Sequence, residues 1–147
     1  MRGPWLDDQA RPYPLNKLAG SYTVFTMAYG ACRRVCSTSL RVMEDLHRVA
    51  EARHLSLEFV VVGLDPSEDK PADWAALRAD MRLTFPNMQF LSGDERSVRQ
   101  LAAWLGVHYW RYGEHTIHDF RIVLVSPEGK VVRGMNAFDE DSTQLLP

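Results

Sequence analysis

A short uncharged run at residues 21–28, Ser-Tyr-Thr-Val-Phe-Thr-Met-Ala, decides more about this chain than any other segment. Its residues are β-branched, aromatic or small, and no charge marks either side of the pleat. That is the pattern of a strand covered on both faces. Gly30 breaks the run. From about Cys32 to Ala52 the apolar positions Val35, Leu40, Val42, Met43, Leu46, Val49 and Ala50 recur at helical spacing with charges between them, which predicts a long amphipathic helix.

The same strand-then-helix pattern follows downstream. Residues 57–64, Leu-Glu-Phe-Val-Val-Val-Gly-Leu, form the clearest strand, and Asp65-Pro66-Ser67 stops it and opens a loop. A helix is expected over 71–83, ended by Pro86, then a small strand over 88–91 and a helix over 94–105 closed by Gly106. Residues 120–125 and 130–132 flank Ser126-Pro127-Glu128-Gly129, a sequence suited to a tight turn, so the chain should close on a β-hairpin. Strand-helix alternation argues for parallel pairing with right-handed crossovers, and the hairpin adds antiparallel pairing to the same sheet. This order predicts an α/β thioredoxin-like fold, a central mixed sheet flanked by helices. The expected division is an extended N-terminal arm over 1–17 and the domain over 18–147. The arm has three prolines, Pro4, Pro12 and Pro14, and no clear period, so it is read as surface chain and poor material for a core. The tail over 137–147 is too polar and short to support a final helix.

The chain has 147 residues, enough for one domain and too few for two, and therefore one site is expected. Its net charge of -2 comes without a basic cluster suited to a phosphate backbone, which argues against nucleic acid as a partner. No run reaches the roughly eighteen apolar residues of a membrane span, and the first eight residues contain no apolar signal core, so the chain as given is expected to be soluble.

The two cysteines, Cys32 and Cys36, stand as CxxxC where the first strand should give way to the first helix. A helix N-terminus presents unpaired N–H groups and the positive end of its dipole, which shifts a thiol there toward thiolate. Arg33 and Arg34, between the cysteines, push the same way. A thiolate is the nucleophile of disulfide exchange and also a soft ligand for Cu(I) or Zn(II), so one geometry permits two chemistries. Two buried inert cysteines are the plain alternative. A purely structural disulfide would close too small a loop to stabilise much, and two cysteines alone cannot complete a tetrahedral zinc site. In the expected fold, His118 sits in a loop just ahead of the strand over 120–125 and can approach the start of the first helix. One imidazole beside two thiolates suits a copper ion that is held and then handed on. His115 is the rival ligand. His47, His54 and His108 are read as solvated.

These residues resemble the SCO/SenC family, the membrane-associated thioredoxin-fold proteins that assist copper loading of cytochrome c oxidase. The resemblance runs from about Leu18 to Val132. It rests on the apolar strand leading into Cys32-x-x-x-Cys36 and Ser37-Thr38-Ser39-Leu40, on Val61-Val62-Gly63-Leu64-Asp65-Pro66-Ser67-Glu68-Asp69, and on His118 ahead of the hairpin turn. It implies a copper ion, Cu(I) or Cu(II), held by Cys32, Cys36 and His118, with the two thiols forming a redox-active pair that cycles between reduced and disulfide forms. Here Arg33 and Arg34 stand where the family has an acidic residue between its cysteines, and Ser37 replaces a proline. The implied partners are a cuproprotein client such as a cytochrome c oxidase subunit and a thioredoxin-like reductant. The implied place is the periplasmic side of an inner membrane, reached through a targeting segment outside this sequence; a monomer is expected.

Two functions follow from the same residues. One is a metallochaperone that transfers copper by ligand exchange. The other is a thiol-disulfide oxidoreductase that attacks a partner's cysteines without a metal. His118 favours the first, since a plain oxidoreductase has no need of it. Asp65 is read first as a turn former before proline. For Trp104, Tyr109 and Trp110, core packing and an exposed docking surface both remain open.

Overall fold

The computed structural model describes residues 5–29, 35–112, 115–137 and 140–147, with backbone alone at 35–38, 111, 112 and 115. Its strands and helices are β1 (Tyr22–Ala28), α1 (Val35–Ala52), β2 (Leu57–Gly63), α2 (Pro71–Met81), β3 (Met88–Leu91), α3 (Glu95–Leu105), β4 (Tyr109–Tyr112), β5 (His115–His118), β6 (Ile122–Val125) and β7 (Val131–Met135). Five strands form one sheet in the order β3-β2-β1-β6-β7, while among the described residues β4 and β5 pair only with each other. β1, β2 and β3 run parallel; β6 is antiparallel to β1, and β7 to β6. The sequence expectation of a central mixed sheet flanked by helices is thus the fold observed.

Alternation along the strands supplies two cores. Val24, Ala28, Phe59, Val61, Ile122 and Leu124 face α1 and the Trp74 of α2, meeting Leu40, Met43, Leu46 and Ala50 of α1. Phe25, Met27, Val60, Val62, Val123 and Val125 face α3, meeting Val98, Leu101, Ala102 and Leu105. Phe59, Val60, Val61 and Val62 are each 0% exposed, so both faces of β2 are dry, and each such side chain contributes about 1.5–3 kcal/mol by leaving water. Asp94 caps α3 by accepting a hydrogen bond from Ser97 N at 2.7 Å, and Gly106 ends it in the left-handed conformation at φ 78°. The turn between β6 and β7 closes through Gly129 N to Ser126 O at 2.9 Å.

The opening segment departs from its reading as surface chain. Trp5 is 2% exposed and belongs to the α3-side core. Leu6 is joined to Ser92, just past β3, by hydrogen bonds of 2.9 Å in both directions. Prolines suppress regular structure, but they do not prevent one large indole from anchoring an irregular segment. Two further departures lie downstream. The hairpin β4–β5 has no counterpart in the sequence reading, and it places His118 at the end of a strand rather than in a loop. The tail forms a short 3₁₀ turn (Ser142–Leu145), and Leu145 and Leu146 are buried against the α1 side.

Candidate metal centre

The parallel strands β1 and β2 end together, with Leu64 N donating to Ala28 O at 2.9 Å. This is the end of an α/β sheet at which loops meet and sites form. Cys36 is the second described residue of α1. Cys32, Arg33 and Arg34 lie outside the described residues, as does the side chain of Cys36, and the predicted pairing of the two sulfurs falls there with them.

His118 reaches the same end of the sheet from the other direction. Thr26 of β1 pairs with Ile122 at the start of β6, and Thr26 Oγ1 donates to Arg121 O at 2.9 Å. Because the pair is antiparallel, β6 begins at the end of the sheet at which β1 stops. His118 is half-buried and pairs with Tyr109 across β4–β5. Its Nδ1 stands 2.9 Å from the carbonyl oxygen of Asp119, a pure acceptor. With Nδ1–H assigned as the donor to that oxygen, Nε2 is the ring nitrogen a soft metal would use. His115 lies at the far end of β5, with its backbone paired to Tyr112 and its side chain outside the described residues.

The residue following His118 closes the hairpin. Asp119 Oδ2 accepts from His108 N at 3.2 Å and lies 2.9 Å from His108 Nδ1, while Asp119 N donates to His108 O at 3.0 Å. Sequence reasoning passed over Asp119 and Arg121; the available signal was an acidic and a basic residue crowded between a histidine and a core strand. His108 is exposed, as expected, although its ring is engaged by Asp119. His54 is exposed. His47 corrects its reading as solvated: it is largely buried, with Nε2 2.8 Å from Asn87 Oδ1 and its ring stacked on Phe85 at 3.9 Å.

Asp65 and Asp69 build the loop after β2. Asp65 Oδ1 accepts from Ser67 N at 3.1 Å and from Ser67 Oγ at 2.6 Å, and Asp69 Oδ2 accepts from Asp65 N at 2.9 Å. Both are buried, and Ser92 Oγ ties Asp69 O at 2.7 Å to the end of β3. The turn-forming role read for Asp65 is the one its contacts describe. Trp104 and Trp110 are exposed on separate elements, with Trp104 edge-on to Phe25, and Tyr109 is half-buried. Among the described residues, no three or more His, Cys, Asp or Glu side chains gather into a metal-holding group.

The SCO1/SenC family model matches residues 5–146. The chain belongs to the SCO1/SenC family. It is 26% identical over 129 residues to the SCO1 protein homolog of Bacillus subtilis, covering 85% of this chain and 67% of that protein. It spans about two thirds or less of the curated relatives it matches. Two solved members share the fold. A SCO1/SenC family lipoprotein from Bacillus anthracis superposes with a TM-score of 0.83 at 21% identity, over 90% of this chain and 80% of the other. Bradyrhizobium japonicum ScoI with copper bound gives 0.78 at 20% identity, over 99% and 95%. Family membership and the thioredoxin-like fold thus agree with what the motifs imply.

Proposed function

We propose that this chain binds one copper ion through the thiolates of Cys32 and Cys36 and the imidazole of His118, and passes it to a cuproprotein by ligand exchange. The observation that carries the reading is the β1–β6 register, which directs the segment ahead of β6, with His118, toward the end of β1 from which the cysteines follow. A proton on His118 Nδ1 suits this role, because it makes Nε2 the ligating nitrogen. The copper-bound Bradyrhizobium japonicum relative of the same fold supports copper as the cargo. The two arginines between the cysteines favour thiolates, and two thiolates offset the charge they add.

The same cysteines give up two electrons and two protons to a partner disulfide as they join, reducing that disulfide to two thiols, so loading requires the reduced pair. A thioredoxin-like reductant restores it. The client is a cuproprotein such as an oxidase subunit, and the place of action is the outer face of an energy-transducing membrane. The lipoprotein nature of the Bacillus anthracis relative supports an exported location. No helix among the described residues is long and apolar enough to cross a membrane.

Copper titration of the reduced protein against a chromogenic chelator tests the proposal. His118→Ala should weaken binding and alter the thiolate-to-copper absorption, while His115→Ala should do much less. If both variants match wild type in spectrum and affinity, the site of two thiolates and one imidazole is wrong, and a metal-free thiol-disulfide exchanger takes its place.

A further inference from the structure

Arg121, three residues after His118, joins pieces of the molecule that are far apart in sequence. Its Nε donates to the carbonyl of Leu105, the last residue of α3, at 2.7 Å, and its Nη1 donates to Asn136 Oδ1, just past β7, at 2.7 Å. Its own carbonyl accepts from Thr26 of β1 at 2.9 Å. The guanidinium fits only because two neighbours lack a Cβ. A Cβ at Gly134 would stand 2.7 Å from Nη1, and one at Gly106 would stand 3.0 Å from Nε. A lysine presents all its donors from one nitrogen; the planar fork of arginine spreads them over three and reaches the two acceptors from two different nitrogens. Placing a cation on the final carbonyl of α3 also complements the negative end of that helix.

These contacts span the root of the hairpin that carries His118. The chain leaves α3 after Leu105, seats Val107 in the α3-side core and reaches β6 after Arg121, and among the described residues β4 and β5 pair with no strand of the main sheet. The hairpin is therefore aimed by what holds its root. Among the contacts that do so are the Arg121–Leu105 bond, the packing of Tyr109 against the α3-side core and, further out, the His108–Asp119 pair.

We propose that Arg121 is a positioning residue for the copper site: its guanidinium, seated on Gly134 and Gly106, fixes the hairpin root so that His118 is presented to the cysteine-bearing segment at one distance and angle. The inference rests on the copper reading above and adds a residue to it. A ligand held by such outer partners loses about ten- to a hundredfold in metal affinity when they are removed.

The experiment compares Arg121→Met, Gly134→Ala, His118→Ala and the double variant Arg121→Met/His118→Ala in the full chain. Copper affinity is read by chelator competition, and nitrogen coupling in the Cu(II) electron paramagnetic resonance spectrum reports the imidazole. Arg121→Met should lose about tenfold in affinity and its nitrogen coupling. The double variant should be no weaker than His118→Ala alone, and the reduction potential of the cysteine pair should stay at the wild-type value throughout. Gly134→Ala keeps the arginine and takes only its seat. The displaced tip can swing into solvent, so this variant decides the matter if Arg121→Met does not fold. Wild-type affinity and nitrogen coupling in Arg121→Met, or in Gly134→Ala where that variant decides, would overturn the proposal, as would losses that add in the double variant. A wild-type result for His118→Ala would instead bring down the copper site itself, and this inference with it.

Discussion

Trp5 closes over Gly93: a Cβ at residue 93 would stand 2.5 Å from Cζ3 and 2.6 Å from Cε3 of the indole. Gly93→Ala should therefore force Trp5 from the α3-side core and lower the urea midpoint, with a red shift of tryptophan emission. Trp5→Ala should cost about 3–5 kcal/mol, the range for emptying a large aromatic site. Trp5 Nε1 is buried without a hydrogen-bond partner among the described residues, so Trp5→Phe should keep much more stability than Trp5→Ala. Equal losses for the two variants would show that the ring is not packed as described.

Asp7 sets an acid limit on the same segment. Burial pushes its pKa up, but hydrogen bonds from the backbone N–H groups of Arg11 and Gln9 and from the Arg11 guanidinium outweigh burial and hold it below the ordinary value of 3.8. A lowered folded-state pKa means stability fully present above the ordinary value and lost as pH falls through the folded one. Asp7→Asn should cost about 1–3 kcal/mol at pH 7, the range for disturbing hydrogen bonds to a buried charged group. Denaturant midpoints measured over an acid series should show the deficit shrinking as the wild-type carboxylate protonates. A deficit that is constant with pH would mean that the charge of Asp7 contributes nothing.

Reduced protein should lose two thiol hydrogens under mild oxidation while remaining a monomer, and copper should leave as the sulfurs join. Mass measurement without reductant checks this, with intermolecular dimer as the contrary outcome. Cys32→Ser and Cys36→Ser should each abolish tight copper binding, because one sulfur alone does not supply the soft pair.

Gly63→Ala probes the loop after β2. A Cβ there would meet Asp69 Cβ at 2.6 Å and Trp74 Nε1 at 3.0 Å, and neither atom is the free end of a flexible chain. Overpacking of this kind costs about 1–3 kcal/mol. Amide exchange should quicken over residues 64–69 in the variant; unchanged protection there would show that the loop yields without cost.

Much of this architecture was legible because strand burial and helix spacing write themselves into local patterns. β3 fell on residues 88–91 as expected, and Gly106 closed α3 where a left-handed cap was expected. What escaped was set by contacts distant in sequence. Trp5 is anchored by Gly93, and prolines around it hid the burial. Tyr109–Tyr112 and His115–His118 are too short, and too rich in polar residues, to announce a hairpin beside a helix end. His47 looked like any charged-face histidine until Phe85 and Asn87 arrived from the next loop to cover it. For the proposed metal centre, the motifs offered candidate ligands and the family; the seat of Arg121 at the hairpin root depends on two glycines, a relation no local window contains.

The pairing of Leu6 with Ser92 also bears on self-association. β3 is an outer strand of the sheet, and an outer strand offers unpaired N–H and C=O groups on which another polypeptide can add itself. This one is only four residues long, and both backbone groups of Ser92 beyond its end are occupied by Leu6. The opening segment thus acts as a guard rail. Proteolysis between Tyr13 and Lys17 would strip it away and bare a template for edge-to-edge aggregation.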